Sequence, residues 1–334
     1  MGHIGKQTLC FKNPPVITAA YSCAGPREVE GPLGNYFDIK CQDELIEQDS
    51  WEKAEAEMVR RNIDGLLKHA GKTPDQIQYL FGGDLENQIT ATVYGAASYQ
   101  IPFFGLYGAC STMGEAMTLA AMTVAGGHAD LVMAGSSSHN AVAERQFRFP
   151  VEYAGQRVES QTWTATASGY VLISHNGEGP KITSVTTGKI VDLGIKDMTN
   201  MGAAMAPAAV DTILMHLEDT KQKPTDFDAI ITGDLGNCGV DIANDLAKRL
   251  GTDLSPVLTD CGKLLYDDER QSTNSGGSGA GCSAVVFTGY LYKKLISKEF
   301  RKILLVPTGA LMSTITNQQG STIPGIAHAV CIEN

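Results

Sequence analysis

A chain of 334 residues that is 43% hydrophobic and 19% charged reads as globular and large enough to bury about three quarters of its unfolded surface, in two domains or two halves. Its formal net charge of −11 and pI near 5.1 leave no cationic surplus to neutralise phosphates, which argues against nucleic acid as a partner. Eight cysteines, at positions 10, 23, 41, 110, 238, 261, 282 and 331, form no Cys-x-x-Cys or Cys/His cluster, no signal peptide is read ahead of them, and no run is apolar enough to span a membrane; they read as reduced thiols, not zinc ligands or staples.

In chain order, Gly5 to Ile17 is alternating and carries Pro14-Pro15, an edge strand leading into a buried one. Ser22 to Asn35 is a Gly- and Pro-rich loop. Ser50 is a suitable N-cap for a helix running through Met58, Ile63, Leu66 and Leu67, which Gly71 ends. Pro74 to Asp84 follows as a short loop and strand. The uncharged stretch Asn87 to Gly114 reads as a buried strand and loop, and leads into the small-residue run Ala116 to Gly127, of helical length. Cys110 stands at this junction, so its sulfur is expected at a helix N-terminus, where free N–H groups and the macrodipole favour a thiolate or an anion lying against it. A nucleophile belongs there; a buried structural thiol is the alternative. Ala129-Asp-Leu-Val-Met-Ala-Gly135 is the next strand, and about 140 to 165 reads as an inserted loop carrying Arg145, Arg148 and Arg157.

Pro74-Asp-Gln-Ile-Gln-Tyr-Leu-Phe-Gly-Gly-Asp-Leu-Glu-Asn87 then returns, without a gap, as Pro224-Thr-Asp-Phe-Asp-Ala-Ile-Ile-Thr-Gly-Asp-Leu-Gly-Asn237. At the same offset Ile63 and Leu67 meet Ile213 and Leu217. One unit therefore looks used twice, with strands and helices alternating, which predicts α/β layers with helices covering mainly parallel sheets. Farther on, Ser272-Thr-Asn-Ser-Gly-Gly-Ser-Gly-Ala-Gly281 lacks the Rossmann spacing and reads as the turn into a helix from Ala280 to Lys294. Lys263 and Arg270 precede it. A guanidinium could grip a carboxylate with two parallel hydrogen bonds, though exposed arginines are usually solvated.

The Ala109-Cys-Ser turn, the helix ending Gly126-Gly-His-Ala-Asp-Leu-Val-Met-Ala-Gly135 and the duplicated halves resemble the thiolase and ketoacyl-synthase superfamily. Within it, the chain from Ile17-Thr-Ala-Ala-Tyr-Ser22 to Gly325-Ile-Ala-His-Ala-Val-Cys-Ile-Glu333 most closely resembles a family of sporulation proteins of spore-forming bacteria. The superfamily resemblance implies a five-layered α-β-α-β-α fold of two similar halves, residues 1–180 carrying Cys110 and residues 181–334 carrying Asp234 and Asn274. It also implies, for enzymes, a Cys nucleophile, a His in the second half, and a second His or an Asn. Cys110 matches the first and Asn274 fits the third, but Asp234 stands where the His should follow Ala229-Ile-Ile-Thr-Gly233.

An imidazole there would donate to a thioester carbonyl and help move a proton. A carboxylate about 4 Å from a thiolate, at an effective dielectric near 20, instead repels it by roughly 4 kcal/mol, or about three pKa units. None of the seven histidines falls at the expected place, although His139 and His328 could approach it in space. The expectation is a condensing-enzyme pocket kept for binding, with acyl transfer by Cys110 as the alternative.

The family resemblance implies the ligand, dipicolinic acid (pyridine-2,6-dicarboxylate), alone or as its calcium chelate, with no other cofactor. It further implies partners in a transport assembly of the spore inner membrane, a peripheral or soluble place at that membrane, and a homodimer joined along Ala91 to Phe104. Cys110, Ser136, Asp234, Asn274, Ser275 and Gly276 are the expected ligand contacts, because a helix N-terminus and a Gly-rich turn cluster donors for a carboxylate. Asp84, Arg148 and Arg270 are further candidates. Asp84 and Asp234 would serve a bound calcium, or else cap turns at equivalent strand ends.

Overall fold

The computed structural model describes residues 2–147 and 156–334. Strands β1 (Val16–Ala24), β2 (Tyr79–Gly83), β3 (Phe103–Gly105), β4 (Leu131–Ser138) and β5 (Ala167–Ser174) lie in the order β3-β2-β4-β5-β1. Strands β6 (Lys181–Thr186), β7 (Ala229–Thr232), β8 (Leu258–Asp260), β9 (Lys302–Val306) and β10 (Ala329–Glu333) repeat that order as β8-β7-β9-β10-β6. The duplicated segment thus supplies β2 and β7, each parallel to both neighbours. A single pairing, Lys181 with Val16, joins the two arrangements.

The sheets are mixed, not mainly parallel as the alternation suggested. β5 and β10 run antiparallel to the strands on either side. An antiparallel neighbour needs no crossover helix, and β10 follows directly on the hairpin of Thr308–Ala310 and Gly325–Ala327.

Helices complete five layers. α1 (Trp51–Ala70) is capped by Ser50, which accepts from the Lys53 N–H, and is stopped by left-handed Gly71, as its sequence predicts. Its Val59, Ile63 and Leu66 pack on Leu80, Met133 and Leu172 at the outer face of the first sheet. α4 (Met201–Thr220) and α5 (Gly236–Arg249) cover the second sheet through Ile213, Leu217, Val240 and Ala243. Between the sheets lie α2 (Thr112–Ala125) and α6 (Ala280–Val286), sharing one core with strands of both. α6 is buried on every side, and α2 on all but a half-buried stripe through Glu115, Leu119, Met122 and Thr123, which is why both runs are so rich in Ala, Gly, Met and Val.

Two stretches depart from expectation. Asn87 to Gly114 holds a helix, Thr90–Ala96, and β3, all three of whose residues are exposed; β3 is last in its sheet, with one edge unpaired. The presumed loop at 140 to 165 opens as helix α3 (Asn140–Phe147) and ends in the short strand Trp163–Thr164, paired with Gly277–Ser278. The helix expected from Ala280 continues past α6 through a π turn, Phe287–Leu291, to Ile296. No helix among the described residues is long and apolar enough to cross a membrane.

Candidate functional site

Cys110 sits in the single turn Ala109–Ser111 that opens α2. Ala109 adopts φ 51°, a left-handed conformation that costs a residue with a Cβ and persists only where its surroundings enforce it. Thr112 Oγ1 donates to the Ala109 carbonyl at 2.7 Å and accepts from the Gly108 N–H at 3.2 Å, while Ser111 Oγ donates to the Gly108 carbonyl at 2.7 Å. The elbow presents the sulfur to a cavity of about 320 Å3.

Asp234, just past β7, forms the facing wall. Its carboxylate accepts from Thr308 Oγ1 at 2.6 Å and from the Gly279 N–H at 3.3 Å, and it lines the cavity together with Cys110. Gly279 approaches this closely because it has no side chain: at φ +100° a Cβ would lie 2.7 Å from Ser138 Oγ. Burial raises the Asp234 pKa to about 7 against these donors, with the charge of Asp260 adding to the rise. Asp260 itself fixes the loop, accepting from Thr232 Oγ1 and from the N–H groups of Leu235, Gly236 and Gly262.

Burial likewise pushes the Cys110 thiol well above its ordinary range. The charge and hydrogen bond of Asp234 push it further, while the N–H groups of Gly279 and of Cys110 itself pull the other way. The thiol is therefore protonated and neutral at pH 7.

Several expected contacts lie elsewhere. Asn274 is exposed in a left-handed turn and donates to the Val158 carbonyl at 3.2 Å. Ser278, four residues on, is the side chain this turn brings to the cavity, because pairing with Trp163–Thr164 aims the chain inward only from Gly277. Ser136 Oγ donates to the Ala280 carbonyl, Ser275 Oγ accepts from the Cys238 N–H, and the Gly276 carbonyl accepts from the Trp163 N–H, each within the packed walls. Asp84 is a buried turn carboxylate holding Thr92 and Glu86.

The cations are also placed apart. Arg270 donates to the Glu30 carbonyl in a separate niche with Arg27, Arg145 pairs with Glu52 at 3.3 Å, and Lys263 is exposed. Arg148 lies outside the described residues. Arg157 stands behind the cavity wall, paired with Glu144. His139 bonds the Glu44 carbonyl at 2.8 Å, and His328, its pKa lowered to about 4 by burial, accepts from the Gly188 N–H; neither lines the cavity.

What lines it instead is a mixed surface. Leu85, Phe147, Met198, Met201, Met205 and Met312 supply apolar walls, and Glu144, Gln161, Thr162, Thr164, Thr199 and Ser278 supply polar groups. The methionines at 198, 201 and 205 carried a signal in their spacing, one face at the start of a helix; the threonines on either side of Trp163 carried none. Among the described residues no group of three or more His, Cys, Asp and Glu side chains could hold a metal ion. Such a space suits a small ligand held between thioethers and a ring, with hydroxyls and the Gln161 amide as its polar partners.

Solved structures share this architecture. The chain is similar to 3-oxoacyl-[acyl-carrier-protein] synthase III from Aquifex aeolicus VF5, with a TM-score of 0.59 at 11% identity over 96% of this chain and 100% of that one. It is similar to Bacillus anthracis acetyl-CoA acetyltransferase, with a TM-score of 0.59 at 14% identity over 97% and 99%. In sequence, the stage V sporulation protein AD of Bacillus subtilis (strain 168) is 44% identical over 330 residues, 98% of this chain and 97% of that protein. The model of the same family matches residues 5–333. The chain has the thiolase-like fold and belongs to the stage V sporulation protein AD family.

Proposed function

We propose that this protein binds dipicolinic acid, pyridine-2,6-dicarboxylate, in the Cys110 cavity without transforming it, as part of the machinery that moves the acid into the developing spore. The observation that carries the reading is the buried Asp234 carboxylate lining the same cavity as the Cys110 sulfur, where its charge raises the thiol pKa. A reaction that begins with a thiolate is opposed at its first step, while the pocket around it is kept. The family's place in sporulation supports the setting. Methionine and Phe147 walls suit the pyridine ring, and the Ser278 and threonine hydroxyls suit a carboxylate. Calcium arriving with the ligand would relieve the repulsion between its carboxylates and Asp234.

Isothermal titration calorimetry with pyridine-2,6-dicarboxylate, with and without calcium, tests this. Saturable binding at micromolar or tighter dissociation constants is expected, and absence of saturable binding under both conditions overturns it. A second reading, acyl transfer by Cys110, is favoured by the strained elbow at Ala109 and by N–H groups aimed at the sulfur. Steady thiol release from an acyl thioester would establish it in place of the first.

We also propose a homodimer built on β3. Its edge is unpaired, Phe104 stacks on Phe81 with ring centroids 5.1 Å apart yet stays 51% exposed, and Tyr94 nearby is 75% exposed. A second copy pairing edge to edge would cover these rings. Sedimentation should give a dimer for the native chain and a monomer for Phe104→Asp.

A further inference from the structure

We propose that Arg157 is the anion-recognition residue of the Cys110 cavity and that Glu144 holds its place there until a ligand carboxylate displaces it. This deepens the binding reading above and rests on that cavity being the ligand site.

The ionisable side chains lining the cavity, among the described residues, are Cys110, Glu144 and Asp234. None is a cation, so an entering anion must find its counter-charge behind the lining. Arg157 is held there by lining residues. Its Nη2 pairs with Glu144, its Nη1 donates to the Thr162 carbonyl at 2.9 Å, and its guanidinium lies 4.5 Å over the Trp163 ring. The guanidinium of Arg27 lies over the same indole at 3.8 Å, and its buried Nε has no hydrogen-bond partner.

Of the two guanidiniums on this indole, that of Arg157 pairs with the lining carboxylate of Glu144, whereas that of Arg27 donates to the Gln271 carbonyl in the separate niche. The positive charge of Arg157 behind this wall favours an anion, whereas the charge of Asp234 disfavours one. Glu144 projects from α3 with 19% of its side chain exposed, so its carboxylate reaches water by a change of rotamer. A ligand carboxylate that takes its place keeps the charge-assisted pair with Arg157 and leaves no buried charge unpaired. The ligand class is a small organic acid with a carboxylate reaching the wall formed by Glu144, Thr162 and Thr164. Its remaining body would lie toward Cys110.

Calorimetric titration with pyridine-2,6-dicarboxylate and with the monoacid pyridine-2-carboxylate tests the exchange. Arg157→Gln should weaken binding of both by about tenfold or more, and Arg157→Lys should recover part of the loss. Glu144→Gln should tighten both several-fold, because its neutral amide competes poorly. A purely structural ion pair predicts the same direction for both substitutions, since each destroys the pair. Glu144→Gln weakening the acids, or Arg157→Gln leaving them unchanged, overturns the proposal.

Should the native protein bind neither acid, the ligand reading fails by itself and the exchange is read by chemical rescue. Formate should then raise the Tm of Glu144→Ala saturably, and should not do so in Glu144→Ala combined with Arg157→Gln. No rise in the single variant, or an equal rise in both, overturns the assignment of Arg157.

Discussion

Asp84 follows β2 and Asp234 follows β7 at equivalent strand ends, and the two carboxylates have different surroundings. Asp84 accepts from the N–H and Oγ1 of Thr92 at 2.7 and 2.6 Å and from the Glu86 N–H at 2.8 Å, so it closes its own strand end with a turn. In the second half Asp260 holds the corresponding loop, and Asp234 is released to meet Thr308, Gly279 and Cys110. A duplicated unit thus keeps one carboxylate for folding and turns the other toward a cavity. The difference lies in what packs above each strand end, not in the strands.

The largest expected effect sharpens this contrast at Asp234. Its folded pKa of about 7 stands above the ordinary aspartate value of 3.8, so the folded chain holds the proton more tightly than the unfolded chain does. The stability this group contributes is fully present below about pH 4 and is lost as pH rises through 7. Asp234→Asn removes the loss. Denaturant titrations should find the variant gaining on the native chain between pH 4 and 7, reaching up to about 4 kcal/mol and staying level above. A flat difference across that range would mean that Asp234 is ionised at little cost.

Asp84→Ala should do the reverse, destabilising the chain by about 3 kcal/mol at pH 7 in the same titrations, because buried N–H donors at Thr92 and Glu86 lose their acceptor. Equal responses to the two substitutions would erase the contrast between the halves. A kinetic prediction comes next: Asp234→Asn takes away a neighbouring charge, so alkylation of Cys110 by iodoacetamide at pH 8, followed by mass spectrometry, should quicken several-fold. Smallest of all, Cys110→Ala should cost the binding of pyridine-2,6-dicarboxylate no more than a contact's worth, roughly 1 kcal/mol. Total loss of function with binding intact would point back to chemistry at the sulfur.

Much was legible in the amino-acid order because it depends on neighbours in the chain. The cap at Ser50 and the stop at Gly71, the repeat that becomes β2 and β7, the small-residue run that becomes the buried helix α2, and Cys110 at its head all follow from local spacing and propensity. So did the opposition between Asp234 and Cys110, since the fold that the sequence resembles brings those two strand ends together. The partners of the remaining residues come from far away in the chain. Asn274 turns outward while Ser278 turns in, because a pairing with Trp163–Thr164, more than a hundred residues earlier, decides where that loop enters the wall. Ser136, Ser275 and Gly276 are absorbed by packing, and Glu144 and Arg157 meet across a segment that reads as plain loop. Local chemistry chose the elements and the nucleophile-like cysteine, whereas the walls of the cavity, the charge behind them and the protonation of the thiol are properties of burial and long-range contact that exist only in the folded chain.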